Sequence, residues 1–342
     1  MPGDVSPAAR AWWLGIGATL RERAAADPAT TIRDASGRNA AVVIAAPGRD
    51  GVVVKRGPRA ARERRLIEDL ARRVPDPGIL PRVLPGDYPD TLVLAAQAGE
   101  ADLWQLHTTV GRAPAALGAA TGRALAALHR TDPPAGLGGD PPDVTLLHRP
   151  RPADMGRMTP ATVRLIATVQ ATPPLAAGLD EVRDGWGGDT LIHGDVKWTN
   201  MLAPDVGDPG VVRLIDWESA AVGDAAWDVG AALSSYLSFW LGSIRPPDGA
   251  PSDPGALAAA AEHPLESLRP AMRALWEAYD TGSPPSRHRT VLCCAACLVR
   301  AAMNEAALRS TLSAHASLHL QVAANMMAAP AVAADRLLGL AA

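Results

Sequence analysis

The segment from His193 to Asn200 combines a carboxylate, an ammonium and an amide within eight residues. It reads His-Gly-Asp-Val-Lys-Trp-Thr-Asn and follows two apolar residues. Asp195 lies five positions before Asn200, and Lys197 lies between them. A carboxylate can accept the proton of a hydroxyl group, and an amide oxygen five residues later can hold a metal ion. The spacing therefore predicts a catalytic loop for phosphoryl transfer.

A second carboxylate, Asp216, follows a predicted hairpin. The apolar stretches at 201–203 and 211–215 are separated by a turn rich in Asp, Gly and Pro, and Asp216 ends the second stretch. A hairpin places Asp216 beside Asn200. Carboxylate and amide oxygens are ligands that Mg²⁺ prefers, with the phosphates of ATP completing its coordination. Asp195 then remains free of metal and can position the acceptor hydroxyl.

Lysine is almost absent from this chain. Lys and Arg total 33, and only Lys55 and Lys197 are lysines. Where arginine has replaced lysine nearly everywhere, the two remaining lysines indicate sites that need a compact ammonium. Lys197 lies in the predicted catalytic loop, where it can neutralise the migrating phosphoryl group. Lys55 ends the apolar run 52–55, which is where a kinase keeps its phosphate-binding lysine.

Predicted strands lead to Lys55. A short strand at 31–33, a turn at 34–39, a strand at 41–46 and a return strand at 52–55 form successive hairpins. The backbone N–H groups of the first turn can cover phosphates. An ordinary surface turn remains the alternative, because the turn has a single glycine. The candidate nucleotide-binding residues there are Ser36, Gly37 and Asn39.

A predicted helix from Pro58 to about Arg73 supplies a partner for Lys55. Its buried stripe consists of Leu66, Ile67 and Leu70. Glu63 lies three, four and seven residues before them and shares their face. A carboxylate that points inward needs a partner, and Lys55 is the predicted one. A surface acid at the start of the helix is the alternative.

The remaining chain is predicted to be mostly helical from about residue 98. Before it, a strand at 92–95 leads into Gln97–Glu100, which the sequence alone predicts to be a turn; in a two-lobed kinase, this is where the chain crosses between lobes and offers backbone groups to adenine. The fold class is therefore α+β, with a small N-terminal lobe (1–97, including an extra helix at 7–27) and a large helical lobe (98–342). The predicted helices are 114–130, 161–171, 229–244 and at least three more near the C-terminus, and the predicted loops are 131–160 and 246–254.

The composition of the chain and the pattern of its apolar residues and cysteines exclude several classes of protein. The net charge of −3 gives no electrostatic case for nucleic acid or an anionic membrane. Residues near position 1 do not form a basic region followed by an apolar one, so we expect no secretory signal. The apolar stretch 229–244 has helical periodicity and is too short for a comfortable membrane span. The three cysteines, Cys293, Cys294 and Cys297, have no second ligand cluster for zinc and indicate buried thiols in a reducing cytoplasm. We therefore expect a cytoplasmic protein.

Four motifs resemble the aminoglycoside phosphotransferase and choline kinase family, which shares the protein-kinase fold. The resemblance covers roughly residues 30–240. The motifs are 122–129 (Gly-Arg-Ala-Leu-Ala-Ala-Leu-His), 193–200, 215–218 (Ile-Asp-Trp-Glu) and 223–228 (Gly-Asp-Ala-Ala-Trp-Asp). The run from Asp216 to Asp228, with Tyr236–Trp240, also resembles phosphotransferases of lanthipeptide and thioamide peptide pathways. Those enzymes phosphorylate Ser or Thr of a precursor peptide before elimination.

The resemblance implies roles for individual residues. Asp195 would be the catalytic base, Asn200 and Asp216 the magnesium ligands, and Lys55 the lysine on the ATP phosphates. Asp228 would brace the catalytic loop through backbone hydrogen bonds. His193 is expected to orient the loop, since a structural imidazole is commoner here than a second base. The peptide branch further implies a precursor peptide as acceptor and a partner lyase in a biosynthetic complex.

Three function classes remain open from the sequence. The first is a kinase for a peptide or protein hydroxyl, which Lys197 favours because Asp-x-Lys-x-x-Asn is the Ser/Thr protein kinase version of the loop. The second is a kinase for a small metabolite or antibiotic. Residues 241–290 contain six acids and five arginines, a balance that does not suit a polycationic aminoglycoside. The third is a catalytically inactive kinase fold that serves as a binding partner. The presence of every predicted catalytic residue argues against this third class.

Two further enzyme classes fit less well. A hydrolase with His193 and Asp195 on two metals lacks the additional histidines that such a centre needs near the motif. A P-loop enzyme is excluded, because neither lysine stands in Gly-x4-Gly-Lys.

Overall fold

The computed structural model describes residues 31–34, 40–46, 49–85, 90–244 and 260–340. The predicted helix at 7–27, the turn residues 35–39 and the loop 246–254 lie outside the described residues. Three of the site candidates, Ser36, Gly37 and Asn39, are among them.

A four-stranded antiparallel sheet opens the described chain. Its strands, in spatial and chain order, are β1 (Thr31–Asp34), β2 (Ala40–Ala46), β3 (Arg49–Arg56) and β4 (Thr91–Ala96). Lys55 is paired with Ala41 on one side and Leu92 on the other, in the middle of the sheet. The first helix, α1 (Pro58–Leu70), starts with Pro58 at its first position, which proline's fixed φ favours. The sequence predicted these strands and this helix, and all are confirmed.

Two smaller antiparallel sheets hold the segments around residues 193–216. One has the order β5 (Ala101–Asp102), β7 (Met201–Ala203) and β8 (Arg213–Leu214), and the other pairs β6 (Thr190–Ile192) with β9 (Ala221–Gly223). The predicted hairpin is present, with Met201 opposite Leu214. A 3-10 turn at Trp198–Asn200 and another at Trp217–Ser219 follow the two segments that carry the predicted catalytic groups.

Helices dominate the rest of the described chain. They are α2 (Leu103–Val110), α3 (Ala115–His129), α4 (Pro160–Ala171), α5 (Pro173–Asp184), α6 (Ala225–Gly242), α7 (Leu265–Ala278), α8 (Arg287–Ala306) and α9 (Ala314–Ala328). Short helical turns lie at Pro77–Ile79, Asp143–Leu146, Pro152–Met155, Pro330–Val332 and Ala333–Leu338. Helix α5 was not among the predicted helices, and the catalytic segment was predicted to follow α4 directly.

Helix α6 crosses the middle of the helical region, and its residues are almost all buried, including the fully buried Tyr236. No helix among the described residues is both long enough and apolar enough to cross a bilayer. The three cysteines lie on α8 and are buried, and burial raises the pKa of each thiol. The prediction of a core helix and of buried thiols is confirmed.

Helices α3 and α7 approach each other closely at two glycines. A Cβ atom on Gly118 would collide with the carbonyl oxygen of Ala271, and a Cβ on Gly122 would collide with that of Leu275. Gly118 and Gly122 are four residues apart, as are Ala271 and Leu275, so one turn of each helix packs backbone against backbone. The glycines set the distance between α3, which ends at His129, and the rest of the helical region.

Substituting Gly122 with alanine should therefore destabilise the protein by about 1–3 kcal/mol, the usual effect of overpacking a core. Alanine in an unobstructed helix has the opposite effect, since it is the better helix former. Gly242→Ala is the matched control, because the nearest described group to a Cβ there is the His315 ring at 3.7 Å, an ordinary van der Waals contact. Urea unfolding of both variants measures the difference, and a Gly122→Ala protein as stable as wild type would contradict the packing argument.

Candidate functional site

Lys55, Glu63 and Asp216 meet in a buried cluster. Lys55 Nζ lies 2.9 Å from both carboxylate oxygens of Glu63 and 2.7 Å from Asp216 Oδ1. Lys55 is 9% exposed and Glu63 is 1% exposed. The backbone N–H of Trp217 donates to Glu63 Oε1 at 3.0 Å, which fixes the carboxylate from the other side. The structure contains the ion pair that the helix periodicity predicted, and it adds Asp216 to it.

The charges in this cluster shift one another's pKa values. Burial opposes the charge of Lys55, but the carboxylates of Glu63 and Asp216 outweigh it and raise the pKa of the lysine. Burial also opposes ionisation of Asp216, and the Lys55 ammonium reverses this effect and lowers the pKa of Asp216. Burial raises the pKa of Glu63 against the pull of Lys55. Two carboxylates therefore surround one ammonium, an excess of negative charge that suits an added cation.

Asp216 has the only positive φ of a non-glycine residue in the described chain, at 68°. This left-handed conformation costs about 1–3 kcal/mol and commonly marks functional sites. The hairpin brings Asp216 beside Asn200, because the N–H of Ile215 donates to the Asn200 carbonyl at 2.9 Å. The Asn200 amide nitrogen donates to the Asp195 carbonyl at 3.0 Å, which leaves its Oδ1 atom to face elsewhere. An amide oxygen beside a carboxylate fits a hard cation such as Mg²⁺.

The Asp195 carboxylate has different partners on its two oxygens. Oδ2 accepts from Lys197 Nζ at 2.7 Å and from the Asn200 amide at 3.1 Å. Oδ1 faces Arg300 on α8, whose NH1 atom is 3.6 Å away. Only Oδ1 remains without a hydrogen bond from a described residue. The side chain is a quarter exposed, so a hydroxyl group from solvent can reach it.

Asp228, on α6, holds the catalytic loop by its backbone. Its carboxylate accepts from the N–H groups of His193 at 2.6 Å and Gly194 at 3.0 Å, and it contacts His129 Nε2 at 3.2 Å. Asp228 is fully buried. Burial would raise its pKa, but these donors, His129 above all, lower it. This is the geometry that the loop-bracing prediction requires.

The loop turns at Gly194, where φ is +78° and a Cβ atom would collide with the carbonyl of Ser219. His193 Nε2 donates to the Ile215 carbonyl at 2.9 Å, so the imidazole links the loop to the strand that ends at Asp216. Burial lowers the pKa of His193, which keeps the ring neutral in this role. The ring is fully buried and does not reach the cleft, in keeping with a structural part in the site.

A cleft of about 630 Å³ lies between the four-stranded sheet and the β7–β8 hairpin. Its volume is that of a small-molecule site. Lys55, Asn200 and Asp216 lie along one end. The segment Gln97–Glu100 and several apolar side chains form the rest. The apolar side chains are Ala41, Val43, Val53, Leu94, Leu202 and Ile215. The cleft can hold a flat base between its apolar walls and phosphates near Lys55.

Several residues at the site were not predicted from the sequence. Arg300 contacts Asp195, and its guanidinium lies 5.0 Å from the ring centre of Trp227. Glu100 and Arg213, both lining the cleft, form an ion pair. His129 was part of a quoted motif but received no role. Arg300 is one of 31 arginines and belongs to no motif, so no local pattern distinguishes it.

This geometry defines the class of protein: a kinase-like fold with the polar groups of phosphoryl transfer around its cleft. The chain belongs to the phosphotransferase enzyme family (APH), whose model matches residues 28–275. Family membership confirms the predicted enzyme class, a kinase with an alcohol group as acceptor.

Three solved structures illustrate what this chain is similar to. A choline kinase from Cryptosporidium parvum Iowa II is similar with a TM-score of 0.54 at 10% identity, over 90% of this chain and 94% of that one. A macrolide 2′-phosphotransferase from Brachybacterium faecium has a TM-score of 0.48 at 18% identity, over 90% and 96%. An aminoglycoside phosphotransferase in complex with ADP and hygromycin B has a TM-score of 0.49 at 14% identity, over 92% and 99%. The choline kinase similarity, with the sheet and helices described above, confirms the predicted fold class.

Proposed function

We propose that this phosphotransferase moves the γ-phosphoryl group of Mg-ATP to a Ser or Thr hydroxyl of a peptide. The observation that carries the choice of acceptor is the contact of Lys197 with Asp195 at 2.7 Å. It places an ammonium directly at the predicted base, as the Asp-x-Lys-x-x-Asn pattern requires. Lys197 is about half exposed, so it stands at the mouth of the site, where an acceptor enters.

Each residue has a distinct part in the proposed reaction. Asp195 Oδ1 accepts the hydroxyl proton while the acceptor oxygen bonds to phosphorus and ADP leaves. Lys197 offsets the charge of the phosphoryl group, and Lys55, held by Glu63, binds phosphate oxygens. Magnesium bound through Asn200 and Asp216 would neutralise the phosphates.

The cleft supports the nucleotide half of the proposal. Its apolar walls and the Gln97–Glu100 segment suit adenine, and Lys55, together with a cation that Asn200 and Asp216 would hold, suits phosphates. We place the boundary between the nucleotide-binding lobe and the catalytic lobe at residues 97 and 98, within this crossing segment. The turn residues Ser36, Gly37 and Asn39 remain candidates for the phosphate side. A lyase that eliminates the phosphate is the partner class this chemistry implies.

A small hydroxylated acceptor is the second candidate. Three of the solved structures similar to this chain are named as a choline kinase, a macrolide phosphotransferase and an aminoglycoside phosphotransferase. The acids of α8 and of the start of α6 do not favour a polycation, because Glu305 is bound to His315 and Asp224 to Arg289.

Incubation with radiolabelled Mg-ATP separates the two candidates. The acceptors are a library of Ser- and Thr-containing peptides, an aminoglycoside, a macrolide and choline. We expect label in peptides and a mass gain of one phosphoryl group on Ser or Thr. The Asp195→Ala protein is the background control. Label confined to a small molecule would replace the first candidate with the second, and label absent from every acceptor above background would contradict both.

A further inference from the structure

The catalytic carboxylate is flanked by two cations that come from different parts of the chain. Lys197, two residues away, binds Oδ2, and Arg300, on α8, approaches Oδ1 at 3.6 Å. The distance to Arg300 is that of an ion pair and is too long for a hydrogen bond. Oδ1 therefore keeps its capacity to accept the acceptor hydroxyl, and the hydroxyl must bind beside a guanidinium.

Arg300 is fixed in this place by two contacts. Its NH1 atom donates to the Gly194 carbonyl at 3.2 Å, and its guanidinium lies over the Trp227 ring. Trp227 Nε1 donates to the same carbonyl at 3.1 Å, so arginine and tryptophan share an anchor in the catalytic loop. The arginine side chain is 21% exposed. The guanidinium is thus ordered before any acceptor arrives.

Most of the donor capacity of Arg300 is unused. A guanidinium has five N–H groups in a rigid planar fork. In the described part of the chain, only NH1 has partners, and Nε and NH2 have none. A planar fork with free N–H groups is suited to a carboxylate or phosphate, which it binds through two parallel hydrogen bonds.

The neighbouring carboxylates do not neutralise this arginine. Glu305, five residues later on α8, is bound to Ser313, His315 and Arg309. Asp228, on α6, is bound to the N–H groups of His193 and Gly194 and to His129, and Asp224, at the start of α6, is bound to Arg289 at 2.6 Å. One carboxylate, Asp195, thus faces two cations, and an anionic group of an acceptor would restore the balance, whereas a cationic group would be repelled.

We propose that Arg300 determines acceptor specificity by binding an anionic oxygen group beside the hydroxyl that is phosphorylated. The inference rests on the proposed function and narrows its acceptor to a hydroxyl flanked by a carboxylate or phosphate. An acidic side chain next to Ser or Thr in a peptide supplies such a group, and so does a small hydroxy acid.

Two matched pairs of acceptors test the proposal. The first is a serine peptide with Glu beside the serine and the same peptide with Gln. The second is glycerate and glycerol. For the wild type, we expect kcat/KM to favour the anionic member of at least one pair by about tenfold or more, the factor that 1.4 kcal/mol provides. The pair that shows this preference identifies whether the anionic group belongs to a peptide or to a small hydroxy acid.

Variants of Arg300 connect the preference to this side chain. In Arg300→Gln, the ratio of kcat/KM for the anionic acceptor to that for its neutral partner should fall to near one. Arg300→Lys should retain part of this preference, because an ammonium keeps the positive charge but lacks the planar set of N–H donors. Arg309→Gln, which removes an exposed guanidinium three residues after the end of the same helix, should keep the wild-type ratio. A wild-type ratio near one in both pairs, or an unchanged ratio in Arg300→Gln, would overturn the inference.

Failure of the proposed function has a different signature. If no member of either pair is phosphorylated above the Asp195→Ala background, the reaction assigned to these acceptors is wrong. Calorimetric titration of the two peptides into the Mg-ADP complex then decides the inference by itself. Tighter binding of the acidic peptide to wild type, lost in Arg300→Gln, supports it, and equal affinities refute it.

Discussion

Phosphoryl transfer should fall by about 10²–10⁴-fold when Asp195 is replaced by alanine, the range for loss of a general base. Oδ1 of this carboxylate is the oxygen left open for the acceptor hydroxyl, whereas Oδ2 is bound to Lys197 and Asn200. Nucleotide binding should survive, because Asp195 does not line the nucleotide cleft. Single-turnover rates and ATP titration of the same preparation separate the two effects.

The matched control is Asp140→Ala, which removes an exposed carboxylate from the loop before residue 143. This variant should keep wild-type kcat and wild-type affinity for ATP. Thermal unfolding of both variants checks that the loop is intact, since Asp195 contributes its carbonyl to the Asn200 side chain as well as its carboxylate. Turnover near the wild-type rate in Asp195→Ala would show that the base is another group.

The parts of the site that could be predicted from sequence are those set by local rules. Asp195, Lys197 and Asn200 lie in one loop, and a hairpin with a clear turn brings Asp216 back beside it. The inward direction of Glu63 follows from helical periodicity, and the need of a buried carboxylate for a partner then selects Lys55. The spacing of the residues and the burial of the carboxylate each limit which groups can meet. Together they leave one arrangement of the site.

Contacts between distant segments could not be predicted in the same way. Arg300 and Gly194 are 106 positions apart, and only the packing of α8 against α6 brings them together. The close approach of α3 to α7 depends on Gly118 and Gly122, but small residues are so common in this chain that their spacing alone selects no partner helix. Tertiary packing determines which distant segments meet, and these contacts cannot be predicted from a single sequence.

Helix α5 was missed for a local reason. Thr172-Pro173-Pro174 looks like a break between elements, because proline cannot continue a helix. At the first positions of a helix, however, proline removes an N–H group that would have no partner, and its fixed φ favours the helix. The same two residues that end one helix therefore start the next.

The contact between Lys55 and Asp216 changes the interpretation of the proposed metal site. From sequence, Lys55 was assigned to phosphates and Asp216 to magnesium, as separate tasks. In the structure, Lys55 Nζ lies 2.7 Å from Asp216 Oδ1, and Oδ2 accepts no hydrogen bond from a described residue. Lysine and cation can therefore share the carboxylate, one on each oxygen, so the phosphates would meet both positive charges at one place.

Asp216→Asn should remove the magnesium dependence of nucleotide binding and lower kcat/KM by at least about 100-fold, or about 2.7 kcal/mol at 1.36 kcal/mol per factor of ten. Asparagine keeps the shape and tolerates the φ of 68°, so the loss can be assigned to the charge. Lys55 retains Glu63 as its partner. ATP titrations with magnesium and with a chelator measure the effect, and wild type should bind more tightly with the metal.

Asp208→Asn is the control for this substitution, because Asp208 is an exposed acid in the turn of the same hairpin. Its magnesium dependence should match that of the wild type, since its carboxylate lies at the far end of the hairpin from Asn200. If Asp216→Asn bound ATP more tightly with magnesium to the same extent as wild type, the metal would have other ligands. The carboxylate would then serve only to hold Lys55, and the loss of activity should be matched by Glu63→Gln, which removes the other partner of the same ammonium.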